Sequence, residues 1–270
     1  MSFQYLSDCH LHTDCSPDGA DSAAMMCENA VRLGYYAVAL TDHCECNAYR
    51  AGGYDRSAER AYYAAKKAAA VFSGRLHVQT GVELGQPLQN LSAAEEVLGR
   101  FPYDFVLGSL HNVSGQEDFW RLDYAAADLN GILDRYFDEI VRMIEWGKFD
   151  SLAHLTYPWR YITGEHGIPM DNARFSGRID RVLRALIEKN IALELNTSGF
   201  RQKLGAPMPD FPVLARYREL GGMLVTIGSD AHRWADVGGG IEMGLRLLHR
   251  AGFRHYVVYV DRKPQLLPIG

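Results

Sequence analysis

Short apolar segments rich in β-branched residues alternate with helical segments along all 270 residues of the chain. Eight segments are predicted as strands: residues 5–10, 36–41, 76–84, 104–110, 151–155, 191–196, 223–228 and 255–260. Strands that alternate with helices pair in parallel through helical crossovers. Seven or eight such units over this length favour a closed β/α barrel over an open sheet. Because no linker or internal repeat interrupts the pattern, we predict an α/β fold with one domain over residues 1–270.

Helical spacing of apolar residues predicts the elements between the strands, namely residues 21–33, 57–72, 132–146, 176–189, 210–220 and 240–250. Asp21 or Ser22 can cap the first helix, and Ser57 is predicted to cap the second. Three connections are long for this type of fold, residues 44–56, 113–128 and 158–174. All three follow the C-terminal end of a strand, where a barrel builds its active site.

Composition limits the possible functions. Apolar residues make up 47% of the chain, and 28 basic residues face 33 acidic ones. The chain lacks the excess of basic residues that would indicate nucleic-acid binding. It also has no apolar run that approaches the ~18 residues of a membrane span. The odd number of cysteines, five, favours reduced thiols over a disulfide framework. With no signal peptide visible at the N-terminus, we expect a cytoplasmic protein.

Histidines and carboxylates collect at the C-terminal ends of the predicted strands. Six of the ten histidines lie there: His10, His12, His43, His111, His154 and His232. Asp42, Glu83 and Asp230 lie at the same ends. In a barrel these positions converge on one small volume. Of the remaining histidines, His77, His249 and His255 are predicted to be structural, and His166 either contacts substrate or lies at the surface of its loop, with the second preferred.

Imidazole and carboxylate groups together are the ligand set expected for Zn, Mn or Fe. In the segments His10-Leu-His12 and Asp230-Ala-His232, alternate residues of a strand point to the same side. The number of these groups exceeds the needs of one ion. We therefore predict two or three divalent metal ions, with a carboxylate such as Glu83 suited to bridge them.

The ordered series resembles the PHP (polymerase and histidinol phosphatase) family of metal-dependent phosphoesterases. The four motifs of the family match His10-Leu-His12, Thr41-Asp42-His43, His111 and Asp230-Ala-His232. The match runs from about residue 7 to 233. Membership implies a distorted, TIM-like barrel of seven strands, so that the segment 255–260 lies outside the barrel.

The segments 104–111 and 193–200 are similar to the stand-alone histidinol-phosphatase branch of this family. That resemblance implies three metal sites. The first would use His10, His12, Glu83 and Asp230. The second would use Glu83, His111 and His154, and the third Asp18, His43 and His232. The implied reaction is hydrolysis of L-histidinol phosphate to L-histidinol and phosphate, a step of histidine biosynthesis, by a hydroxide that bridges the metals.

Three further residues are expected to assist a phosphatase. Asp42 either protonates the leaving group or orients a ligand histidine, and the second role is preferred. Arg160 and Arg201 follow the fifth and sixth strands, where the histidinol-phosphatase branch also places arginines. A guanidinium group suits phosphate through its planar fork, although either arginine could equally lie at the surface.

Two features of the active-face loops stay open. Cys44 and Cys46 either offer a thiolate ligand or pack as ordinary core residues, with the second preferred. Aromatic residues in the loops either form a wall for a flat group such as imidazole or cover the rim of the barrel. They are Trp120, Tyr124, Tyr157, Trp159 and Tyr161.

Two alternatives to the histidinol-phosphatase hypothesis remain. One is a phosphoesterase of the same family acting on another small phosphate ester, such as a nucleotide or a sugar phosphate. The other is a metal-binding barrel without catalysis, although no ligand of the family set is missing here. Under the preferred hypothesis the partner is a small phosphate ester, with no nucleic acid and no membrane. The pattern does not determine the oligomeric state.

Overall fold

The structure is a computed structural model that describes residues 3–170 and 172–270. Its first eight strands are β1 (Ser7–Leu11), β2 (Ala37–Leu40), β3 (His43–Glu45), β4 (His77–Gly85), β5 (Phe105–Ser109), β6 (Ser151–Leu152), β7 (Ala192–Asn196) and β8 (Val225–Gly228). Seven of them lie side by side and parallel, in the order β1, β2, β4, β5, β6, β7, β8. The short strand β3 follows β2 and pairs with the second half of β4.

The sheet curves into a nearly closed barrel, as predicted. Beyond β8, the N–H of Asp230 donates to the carbonyl of His10 at 2.9 Å, and the N–H of His12 donates to the carbonyl of Ala231 at 2.9 Å. These bonds join the last barrel strand to the first. They also place the residues after β8 beside the end of β1, so that the two ends of the chain's barrel region meet at the C-terminal face.

The helices are α1 (Ala23–Arg32), α2 (Tyr54–Val71), α3 (Leu91–Arg100), α4 (Leu129–Trp146), the single turn α5 (Tyr157–Trp159), α6 (Asn172–Lys189), α7 (Phe211–Glu219) and α8 (Ile241–Arg250). Ser22 caps α1 by accepting from the N–H of Met25. The predicted Ser57 cap is wrong, because α2 begins earlier, after Gly53. Helix α3 was not predicted. None of the helices described is long and apolar enough to cross a membrane.

The predicted eighth strand lies outside the barrel, as the family resemblance implied. Strands β9 (His255–Val260) and β10 (Lys263–Pro268) form an antiparallel hairpin of their own. The hairpin covers the N-terminal end of the barrel: Tyr259 stacks on Phe105 at 5.2 Å, and Arg262 Nε donates to Asp150 Oδ2 at 2.5 Å. Asp150 directly precedes β6, so this contact marks the end of the barrel opposite to the strand termini that carry the histidines.

A glycine shows how tightly the C-terminal end of the barrel is filled. A Cβ atom on Gly228, the last residue of β8, would lie 2.3 Å from His10 Cβ and 2.7 Å from Glu194 Oε1. Distances this short do not occur between non-bonded atoms, so the position excludes any side chain. Glycine here leaves room for two polar side chains to lie in the barrel interior.

Candidate metal centre

Nine side chains from the C-terminal ends of the strands point into one volume. They are His10, His12, Asp18, His43, Glu83, His111, His154, Asp230 and His232, and we call them the His/carboxylate cluster. The imidazole rings pack closely, with the ring of His12 at 4.1 Å from that of His232 and 4.2 Å from that of His43. The predicted convergence is therefore present in the structure. The role of each residue as a ligand stays a prediction.

Glu83 lies at the centre of the cluster. It is fully buried on β4, where the period of two directs it into the barrel. Its Oε1 lies 3.1 Å from His111 Nε2 and 3.0 Å from His154 Nε2. Its Oε2 has three ring nitrogens within 3.5 Å, those of His10, His12 and His43. A carboxylate with imidazoles on both oxygens has the arrangement expected of a bridging ligand.

Two aspartates lie on the side of the cluster next to His232. Asp230 Oδ1 lies 3.4 Å from His12 Nε2. Asp18 Oδ2 lies 3.1 Å from His232 Nε2, and Asp18 Oδ1 lies 3.6 Å from His43 Nε2. Each of the three ligand sets implied by the family resemblance is therefore compact in the structure. Asp18 differs from the others in exposure, since its side chain is 61% exposed.

Unpaired polar atoms test whether these residues fit metal ions. Four buried atoms of the cluster make no hydrogen bond in the described structure: His43 Nδ1, Glu83 Oε2, His154 Nδ1 and His232 Nε2. The first two lie 2.8 Å apart, yet their directions do not suit a hydrogen bond. Buried polar atoms are seldom left unpaired, and a cation would satisfy the two that face each other. The cluster therefore fits divalent ions that take nitrogen and oxygen ligands.

Ligand atoms within 4.8 Å of one another define three groups, His10 with His12 and Glu83, His12 with His43 and His232, and His43 with Glu83 and His111. These groups overlap the implied ligand sets without being identical to them. His43 belongs to two of the groups, and His12 replaces Asp18 in one. The three groups share residues, so the candidate ligands form one continuous cluster.

Carboxylates and imidazoles of the cluster shift each other's pKa values. Burial alone would raise the pKa of Glu83, but the imidazoles of His43 and His111 outweigh burial and hold this pKa well below its usual value. Burial alone would lower the pKa of His10, but Glu194 and other carboxylates raise it well above its usual value. In the same way, neighbouring carboxylates raise the pKa of His43 and His111 against the effect of burial. Metal binding would therefore compete with protons.

Two carboxylates beside the cluster were not predicted. Glu194 Oε1 lies 2.7 Å from His10 Nδ1, and its Oε2 accepts from the backbone N–H of His154 at 2.8 Å. Glu45 Oε1 lies 3.1 Å from His111 Nδ1. Both contacts occupy the ring nitrogen that faces away from Glu83, and so direct the other nitrogen toward the centre. A signal existed for each, because Glu45 follows His43 by two residues and Glu194 lies inside a predicted strand.

Both carboxylate oxygens of Asp42 accept hydrogen bonds from residues outside the cluster. Its Oδ1 accepts from the Thr13 N–H at 2.7 Å and from Ser16 Oγ at 2.6 Å, and its Oδ2 accepts from Thr13 Oγ1 at 2.8 Å. Ser16 Oγ in turn lies 3.1 Å from His12 Nδ1. Asp42 is thus connected to a candidate ligand through Ser16. This geometry favours the orienting role over proton transfer to a leaving group.

The two arginines differ in their contacts. The guanidinium of Arg160 packs over the Tyr161 ring at 5.2 Å and forms no hydrogen bond or salt bridge with a described residue. Burial opposes its charge, but Tyr161 and Asp230 raise its pKa above the usual value. Arg201 instead donates to the carbonyls of Gly239 at 2.9 Å and Ser229 at 2.7 Å. Arg160 is therefore the arginine whose donors are free to bind an anion.

Other predicted features separate into core and rim. Cys44 and Cys46 are buried and belong to none of the candidate metal groups found among the described residues. Trp159 is buried against Phe175 at 6.1 Å and so is not part of an active-face wall. Tyr157 does line the cluster, with its ring 5.0 Å from those of His111 and His154. Trp120 is 56% exposed, and the ring of Tyr124 lies 4.1 Å from that of His166 in a tilted arrangement.

The histidines predicted to be structural or at the surface lie outside the cluster. His77 begins β4 at the opposite end of the barrel and is exposed. His166 and His255 are exposed, and His249 lies in the last turn of α8.

Similarity to known proteins agrees with this geometry. The model of the PHP domain family matches residues 8–198. The probable histidinol-phosphatase of Thermotoga maritima is 29% identical over 253 residues, which cover 93% of this chain and 94% of that protein. The probable histidinol-phosphatase of Clostridium acetobutylicum is 27% identical over 251 residues, which cover 92% and 94%.

Among solved structures, the crystal structure of histidinol phosphate phosphatase from Lactococcus lactis, complexed with zinc, L-histidinol and phosphate, superimposes with a TM-score of 0.80. The two chains are 21% identical, and the match covers 96% of this chain and 98% of that one. This likeness shows that the fold is shared. Since the family match spans well over half of the sequence and includes most of the residues of the cluster, the chain belongs to the PHP domain family.

Proposed function

We propose that the protein is a metal-dependent phosphomonoesterase that hydrolyses L-histidinol phosphate to L-histidinol and phosphate. The observation that carries the proposal is the convergence of six imidazoles and three carboxylates at one barrel end, near the guanidinium of Arg160, which forms no hydrogen bond with a described residue. Support comes also from relatives of nearly equal length that bear the name histidinol-phosphatase.

The cluster would hold two or three divalent ions, and its nitrogen and oxygen donors suit Zn, Mn or Fe. Glu83 would contact more than one of them, since it has imidazoles on both oxygens. When bound, such ions lower the pKa of water and neutralise charge on phosphoryl oxygens. A phosphate monoester needs both effects, because its dianion repels hydroxide.

The chain itself contributes orientation and charge. Glu194 holds His10, and Asp42 acts through Ser16 on His12, so that the Nε2 atom of each ring faces Glu83. Arg160 would bind phosphoryl oxygens through its planar fork. Hydrolysis adds the oxygen of water to phosphorus, breaks the bond from phosphorus to the ester oxygen, and transfers a proton to that oxygen.

Steady-state kinetics of the metal-loaded protein test the proposal. We expect kcat/KM for L-histidinol phosphate to exceed that for p-nitrophenyl phosphate by a factor of about 100 or more, because a site that pairs with polar groups of its substrate rejects compounds without them. Phosphate release measures both rates. Comparable values for the two esters, or faster hydrolysis of a nucleotide or sugar phosphate, would reject histidinol phosphate as the substrate.

A further inference from the structure

A carboxylate outside the His/carboxylate cluster lies close to it. Asp118 belongs to the connection after β5, and the N–H of Phe119 ties this connection to the carbonyl of His111 at 3.3 Å. Asp118 Oδ1 accepts a hydrogen bond from Tyr157 Oη at 3.2 Å. The ring of Tyr157 lies 5.0 Å from the rings of His111 and His154. One tyrosine therefore separates Asp118 from two candidate ligands.

This carboxylate forms no salt bridge in the described structure. Asp118 Oδ1 also accepts from the N–H of Trp120 at 3.1 Å, but Oδ2 accepts no hydrogen bond and no lysine or arginine forms a salt bridge with it. Its side chain is partly buried, and burial raises the pKa of the carboxyl group. A cation placed here would offset the cost of partial desolvation.

The neighbouring hydroxyl groups form a directed chain. Tyr157 Oη donates its hydrogen to Asp118, so the 3.2 Å contact between Tyr157 Oη and Tyr161 Oη requires Tyr161 to donate. The oxygen of Tyr161 thus keeps its lone pairs as acceptors. On the other side, the guanidinium of Arg160 packs over the ring of Tyr161. The carboxylate of Asp118 thus contacts one tyrosine of the pair, and the guanidinium of Arg160 contacts the other.

We propose that Asp118 and Tyr161 form a subsite for the primary ammonium group of the substrate. The substrate would lie with its phosphate at the cluster and Arg160, and with its ammonium group at Asp118 Oδ2. In L-histidinol phosphate the ammonium group is one carbon away from the carbon that bears the phosphate ester, so both charges fall on the same short edge of the molecule. The inference rests on the proposed function for the position of the phosphate.

The test compares L-histidinol phosphate with the imidazolyl-propyl phosphate that lacks the amine. Asp118→Asn keeps the shape of the side chain and an acceptor for Tyr157, and removes the charge. We expect kcat/KM of this variant to fall roughly 10- to 100-fold for the amine substrate, the usual effect of losing a charged hydrogen bond. The value for the deaminated ester should stay within about twofold of wild type. Glu117→Gln removes a charge from the adjacent exposed residue and should change neither value.

Equal losses on both esters, or no loss on either, would overturn the subsite. Calorimetric binding of L-histidinol and of its deaminated alcohol to the metal-loaded protein gives a second readout that does not need turnover. Asp118→Asn should weaken binding of L-histidinol selectively, and an unchanged Kd would again overturn the proposal. If the wild-type protein hydrolyses neither ester, the proposed function fails, and the binding comparison still decides the role of Asp118.

Discussion

The two ends of the barrel differ in the partners of their buried ionisable side chains. At the N-terminal end, Asp150 accepts from the Val106 N–H at 2.8 Å and from Arg262 Nε, and Tyr259 donates to the Asp150 carbonyl. At the C-terminal end, four buried nitrogen and oxygen atoms of the His/carboxylate cluster make no hydrogen bond to any residue that the structure describes. An unpaired buried polar atom costs about 1–3 kcal/mol. The buried carboxylate of Asp150 is thus paired within the chain, whereas the His/carboxylate cluster is arranged for groups that the chain does not supply.

Residues with positive φ also have different roles at the two ends of the barrel. At the N-terminal end, Asp261 and Arg262 have φ values of 49° and 63° in the turn between β9 and β10, which is the pattern of a tight hairpin turn. At the C-terminal end, His154 and Asp230 have φ values of 26° and 54°. Positive φ is uncommon for residues other than glycine and recurs at functional sites. Positive φ values thus reverse the chain at one end of the barrel and set the backbone of two candidate ligands at the other.

The substitution expected to have the largest effect removes the centre of the cluster. Glu83→Gln keeps the size of the side chain but loses the charge that faces five imidazoles. We expect the loss of activity to exceed the roughly 10- to 100-fold effect of removing an outer partner of a metal ligand. Bound metal per chain, measured by elemental analysis, should fall in parallel.

Asp104→Asn is the matched control for Glu83→Gln at the opposite end. Asp104 accepts from Thr80 Oγ1 at 2.8 Å and from the Asp261 N–H at 3.2 Å, so its loss should affect stability and leave metal content unchanged. If Glu83→Gln retains the full metal content, the buried carboxylate is structural. The contrast between the two ends would then be wrong.

A smaller effect is expected from Glu194→Gln, which sharpens the comparison within the C-terminal end. The carboxylate oxygens of Glu194 contact both His10 Nδ1 and the His154 N–H, but an amide has only one oxygen to accept a hydrogen bond. Its NH2 group would then face the second donor, with which it cannot form a hydrogen bond. Metal affinity should fall about 10- to 100-fold while the fold is retained. Titration of the metal-free protein measures this change. Unchanged affinity would show that Glu194 only fills space beside Gly228.

Sequence patterns were sufficient for the barrel and for its histidines. Alternating strands and helices have strong periodic signals, and a barrel brings the C-terminal ends of its strands together whatever their separation along the chain. For this reason His10 and His232, more than two hundred residues apart, could be placed in one volume. The family resemblance further implied that residues 255–260 lie outside the barrel, which the structure confirms.

Sequence patterns were insufficient where one residue type has several common roles. Glu45, Glu194 and Asp118 are carboxylates without a motif, and an acidic residue is usually a solvated surface group. Helix α3 was missed although Asn90 caps it, because its ten residues carry few large apolar side chains. Spacing also gave Arg160 and Arg201 equal weight. The structure separates them, since the carbonyls of Ser229 and Gly239 occupy donors of Arg201.

The smallest effect is expected at the N-terminal end and is confined to stability. Arg262→Ala leaves Asp150 with one fewer donor, and because the arginine side chain is 36% exposed, solvent compensates part of the loss. We expect the free energy of unfolding to fall by about 1–2 kcal/mol in denaturant titrations, with kcat of the metal-loaded protein unchanged. Lys263→Ala on the same hairpin, at an exposed position, should cost less than about 0.5 kcal/mol. A fall in kcat for Arg262→Ala would mean that the hairpin influences the cluster through the strands, and the two ends could no longer be treated as independent.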